Sequence, residues 1–89
     1  PPTFEKIREN IYEIFKTVFS VSMKAGGSDP AAVQQHFLEK LEQIPINWRE
    51  SFRKAEQHGD TETMVIEQLK LKTAEEIKNA FLVLKEGAL

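Results

Sequence analysis

Two histidines, 14 acidic side chains and no cysteine carry most of the reactive chemistry in this 89-residue chain. Without cysteine there is no thiolate nucleophile, no thiolate metal ligand and no disulfide. His36 and His58 match no metal-ligand spacing, so a metal site would need carboxylates delivered by folding. Two carboxylate pairs, Glu75 with Glu76 and Glu39 with Glu42, have the residue types for acid and base work. Nothing in the sequence gives them a buried, convergent setting. Lys78 stands three residues after Glu75, a spacing that makes weak pairs on a solvated helix face, and Lys40 lies between Glu39 and Glu42. Glu76 also has the spacing of a helix-capping partner for Thr73. Gly26, Gly27 and Ser28 follow a helical pattern and lack the downstream Gly-Lys of a phosphate loop. No metal and no cofactor is expected.

Two short spacings resemble known catalytic elements. Arg53 and His58 form an Arg-x4-His spacing that resembles the motif of helical nucleases, which cleave RNA with a paired arginine and histidine. The resemblance implies a small RNA-cleaving hydrolase using Arg53 and His58. The residues themselves support a plainer role, since His58, just before Gly59, meets the negative end of a helix dipole. His36, followed by Phe37, Leu38, Glu39 and Lys40, resembles a phosphotransfer helix, in which an exposed imidazole accepts a phosphoryl group near a basic residue. A glutamate precedes the lysine here, and His36 is read as a surface histidine. The expectation is that the chain is not an enzyme.

The elements that would position these residues are helical. Phe4, Ile7, Ile11, Ile14, Val18 and Val21 alternate spacings of three and four, a heptad seam that predicts a helix over about 4–24. A second row, Tyr12, Phe15, Phe19 and Met23, runs beside it, so apolar residues cover more than one stripe. Thr3 is the expected N-cap, and Gly26 with Gly27 the expected stop. Asp29 and Pro30 read as N-cap and first residue of a helix over about 30–44, with Val33, Phe37, Leu41 and Ile44 on its stripe and Pro45 as its stop. Asn47 with Glu50 predicts a capped third helix over about 48–58. Trp48, Phe52 and Ala55 form its inner edge, Ile46 is a plug, and Gly59 ends it.

From Asp60 to Glu86 there is no Gly or Pro. Ile66, Leu69, Thr73, Ile77, Ala80 and Leu84 keep helical spacing throughout. Thr73, Ala74, Glu75, Glu76 matches a capping box, which places a break there and gives helices over about 61–72 and 74–86. The fold class is all-α, a single domain over residues 1–89 built as a small bundle of four to five helices with short connections.

Composition narrows the function. Twelve basic against 14 acidic residues give a net charge of −2, with no basic stripe, so no nucleic-acid partner is expected. The longest apolar run, Phe81 to Leu84, is far short of the roughly 20 residues of a membrane span. Pro1, Pro2 and Thr3 lack a signal-peptide pattern, and the expected location is cytoplasmic. The unusual feature is surplus apolar face on the first and last helices. The first expectation is a non-enzymatic helical protein–protein interaction module, self-associating or receiving a partner helix through Tyr12, Phe15, Phe19, Met23, Leu82 and Val83. Alternatives are a monomer with the first helix wrapped at its centre, or a carrier of a small apolar ligand among Phe4, Phe15, Phe19, Phe37 and Phe81.

Overall fold

A computed structural model describes residues 3–87. Pro1 and Pro2, which entered the signal-peptide reading, lie outside the described residues, as do Ala88 and Leu89. Among the described residues the chain is all helix: α1 Phe4–Gly26, α2 Pro30–Gln43, α3 Pro45–His58 and α4 Thr61–Gly87.

The start of α1 follows the sequence reading, with the Thr3 hydroxyl accepting from the Lys6 amide at 3.2 Å. Its end divides the work between two glycines. Gly27 takes the positive φ of 58°, whereas Gly26 is still helical and is needed for another reason. A Cβ on Gly26 would fall 2.5 Å from the Val33 nitrogen, so the missing side chain is what lets α1 and α2 meet closely. Asp29 then caps α2 through the Ala31 amide at 3.0 Å.

Pro45 bends the chain where it was expected to stop it. Ile44 stays in the right-handed helical region at φ −61° and ψ −43°, and its amide still bonds to the Lys40 carbonyl. The helix therefore resumes at Pro45, and the proline only deletes the bond that the Leu41 carbonyl would have accepted. In effect α2 and α3 are one kinked helix, and the architecture is three helices in four pieces. Asn47 consequently lies inside α3, and Glu50 pairs with Arg53 instead of closing a capping box. Ile46 is exposed and plugs nothing.

The expected break at Thr73 is absent. Thr73 is 0 % exposed and its hydroxyl donates to the Leu69 carbonyl at 2.7 Å, one turn back. That internal bond satisfies the polar group, so a threonine sits in the buried stripe without ending the helix. The Glu76 carboxylate, released from capping, takes the Arg8 guanidinium at 2.8 Å and ties α4 to α1.

Packing runs through one aromatic centre. Ile11, Phe15, Phe37, Leu41 and Ala74 are buried together, with Val18, Phe19, Trp48, Ile77 and Phe81 against them. Phe15 meets Phe37 and Trp48 edge-on at centroid distances of 6.5 and 6.3 Å. This shifts the inner face of α1: Ile7, Ile11, Phe15 and Ser22 are buried, while Phe4, Ile14 and Val21 of the expected seam are exposed. The molecule is slender, at 47 × 22 × 20 Å. Its radius of gyration of 14.8 Å exceeds the roughly 12 Å expected for a chain of this length, so a large share of apolar side chain stays near the surface.

Candidate functional site

The C-terminal half of α1, the start of α2 and the last turns of α4 diverge around an open groove with a volume of about 760 Å³. The kink at Pro45 and the close approach at Gly26 set how these three segments meet. Phe19, Phe37 and Phe81 make its floor, with Phe37 at 5.1 Å from Phe19 and 4.8 Å from Phe81 between centroids. Tyr12 and Met23 on α1, and Ile77, Ala80 and Leu84 on α4, make its walls. Tyr12 and Met23 are each 48 % exposed and Leu84 is 72 % exposed, so these walls stand in water. Lys85 is the one charged residue in the lining, and Gln34 and Ser28 supply polar groups at the α2 rim. A shallower depression continues the groove along α1 past Phe15, Lys16 and Ser20.

Of the six residues expected to meet a partner, the structure brings together Tyr12, Phe19 and Met23. Phe15 must be corrected: it is 2 % exposed, a core ring beneath the groove rather than a contact surface. Leu82 is half-buried outside the lining, and Val83 is exposed outside it. Successive residues on a helix point about 100° apart, so the run Phe81 to Leu84 divides among different faces, and Ala80, Phe81 and Leu84 take the places given to Leu82 and Val83.

The residues with catalytic spacing do not gather at one site: Glu42 lines one depression with Glu75, Arg49 and Lys78, and another with Glu39. Arg53 is exposed and its guanidinium is held by Glu50, with Nε to Oε2 at 3.1 Å and Nη2 to Oε1 at 2.5 Å. This pairing raises the Arg53 pKa and lowers that of Glu50, chiefly through the hydrogen bond between them. His58 is exposed at the end of α3, and a five-residue step turns it about 140° around the helix from Arg53. Glu42 accepts from Lys78 at 2.6 Å, which draws its carboxyl below the ordinary value and locks α2 to α4. Glu39 accepts from the Gln35 side-chain amide at 3.2 Å, and Glu76 is committed to Arg8. Among the described residues no group of three or more His, Asp or Glu side chains is placed to hold a metal ion. No helix of the described residues is long and apolar enough to cross a membrane.

Two polar features escaped the sequence reading. His36 is half-buried rather than a free surface histidine, with its Nδ1 at 2.7 Å from the buried Ser22 hydroxyl. Ser22 lies four residues after Val18 in the seam, a position at which a small polar residue marks close helix approach. Glu67 is 7 % exposed, with Oε1 accepting from Lys70 at 3.0 Å and Oε2 buried without a partner. The row Met64, Glu67, Leu71 and Ala74 has the same three-four spacing as the stripe through Thr73, and it alone could have pointed to a buried glutamate.

Comparison with protein-family models, with curated proteins and with solved structures gives no match to the chain.

Proposed function

We propose that this chain is a non-enzymatic helical interaction module that receives the apolar face of another helix in the groove between α1 and α4. The observation that carries this reading is the groove itself: an aromatic floor, apolar walls in water and a single charged lining residue. Such a trough offers no convergent polar groups to orient a reacting substrate, and it suits an amphipathic helix anchored at positions i, i+3 or i+4 and i+7. Arg53, His58 and the carboxylate pairs serve as surface ion pairs and helix-end charges.

The test is selection from a library of amphipathic helical peptides. Selected peptides should carry apolar residues at helical spacing, lose binding to Met23→Glu and Leu84→Glu, and keep it with Arg53→Ala. Peptides that bind all three variants equally would overturn the reading.

A second reading, a carrier of a small apolar ligand, is favoured by the volume of about 760 Å³, which falls in the range of roughly 300–1,000 Å³ usual for ligand pockets. Binding of a fluorescent alkyl probe that is blocked by Ala80→Trp, with no helical peptide recovered from the library, would favour it over the first.

A further inference from the structure

We infer that the helix received by this groove is acidic, with carboxylates flanking its apolar face where that face passes Lys16 and Lys85. The inference rests on the reading of the groove as a helix-docking surface and adds the chemistry of the occupant.

The argument comes from the charge on the rims. Along the groove and the depression that continues it, Lys16 and Lys85 are the charged lining residues, and among the described residues no Asp or Glu lines either. Both lysines are exposed, and among the described residues neither is in an ion pair. Lys16 lies on α1 between Tyr12 and Phe19, and Lys85 stands one turn beyond Phe81 on α4, so the two cations sit on rims formed by different helices. Lys85 also borders a depression that contains Glu39 and Glu42, but those carboxylates are engaged by Gln35 and Lys78.

A helix laid in the groove covers the stems of both lysines and takes part of the water from their ammonium groups, which costs free energy unless a carboxylate replaces it. A neutral helix leaves that cost unmet, and a basic helix adds repulsion. Glutamates beside the apolar row of the incoming helix meet the lysines while its apolar residues meet Phe19, Phe81 and Leu84. The sign changes at the other end of α1. There the depression beyond Tyr12 is lined by Glu5, Glu9 and Glu13, with Arg8 already held by Glu76. The acidic part of the partner therefore spans the groove and stops at Tyr12, where a continuing helix needs a lysine or arginine.

The test uses a library of helical peptides that share one apolar row, with Glu or Lys allowed at each flanking position. It is selected separately on the parent chain and on the Lys16→Glu, Lys85→Glu double variant. Both substitutions fall on exposed residues, and circular dichroism checks that the double variant stays helical. The parent should enrich Glu over Lys at the flanks, and the best Glu-flanked peptide should lose about tenfold in affinity on the double variant, a loss that shrinks as salt rises. The same flank composition on both proteins, or Lys enriched on the parent, overturns the acidic partner and leaves helix docking standing. No peptide recovered on either protein overturns the helix-docking reading and this inference with it. A dimer of the parent, seen by sedimentation equilibrium, that no selected peptide dissociates gives the groove to a second copy and also overturns the inference.

Discussion

The Nδ1 of His36 lies 2.7 Å from the Oγ of Ser22, joining α2 to a fully buried point on α1. The Ser22 hydroxyl has one proton and gives it to the Val18 carbonyl at 2.9 Å, so it is His36 that donates, from Nδ1–H. The imidazole thus acts as a strut between helices. Ser22→Ala should leave that N–H without its buried acceptor and cost about 1–2 kcal/mol in urea denaturation. A variant as stable as the parent would show that water replaces the bond and that the strut is dispensable.

At the α1–α2 corner, Gly26→Ala and Gly27→Ala are expected to fail for different reasons. The first drives a Cβ into Val33, including its backbone nitrogen, and should cost about 1–3 kcal/mol. The second meets no neighbour and bears only the strain of φ 58° with ψ −125°, outside the left-handed helical well, about 1–3 kcal/mol. Because the Gly26 obstruction is partly backbone, trimming Val33 to Ala should recover only part of the loss. Full recovery in the Gly26→Ala, Val33→Ala double variant, measured by thermal unfolding, would contradict this packing.

Stability and docking should separate by residue. Ile11→Ala removes a buried side chain at the centre of the core and should cost about 2–5 kcal/mol. Met23→Ala and Leu84→Ala remove side chains that are half or more in water, so each should cost less than about 1 kcal/mol while abolishing peptide binding. If those two variants unfold as readily as Ile11→Ala, the groove walls are core and the docking account fails.

Acid should weaken the joints between elements in a defined direction. The Asp60 carboxylate accepts from the Thr63 hydroxyl at 2.6 Å and the Thr63 amide at 3.1 Å, and the first of these does most to hold its pKa below the ordinary 3.8. Glu42 is held below the ordinary 4.5 by Lys78. A carboxyl lowered by folding contributes its full stabilisation above its unfolded value and loses it as pH falls through the lowered one. Unfolding midpoints should therefore be level from neutral pH down to about 5 and fall below about 4, with a shallower fall in Lys78→Met and in Asp60→Ala. An unchanged slope in both variants would refute the assignment.

The all-helical class and several helix ends were legible in the sequence because they depend on local rules: Thr3, Asp29 and Gly59 act as their residue types dictate, whereas the caps expected at Asn47 and Thr73 lie inside helices. What was misread depends on tertiary context. Pro45 forbids one hydrogen bond but cannot by itself say whether the chain turns away or continues kinked, since that is decided by what α1 and α4 pack against. Thr73 has a cap's signature and also a hydroxyl able to bond one turn back, and burial at 0 % selects the second. For the groove, the surplus of apolar face was legible, and three of its lining residues, Tyr12, Phe19 and Met23, with it. Phe15 was misplaced because periodicity ranks residues around a helix but does not say which of two adjacent rows faces inward.

The groove as a helix-docking surface is tested most directly by mapping amide shifts of the isotope-labelled chain as an amphipathic helical peptide selected for binding is added. The account predicts that the shifted amides cluster around Phe19, Met23, Ala80 and Leu84, with those of α3 unaffected. Shifts centred on α3, or no peptide bound at high concentration, would contradict it.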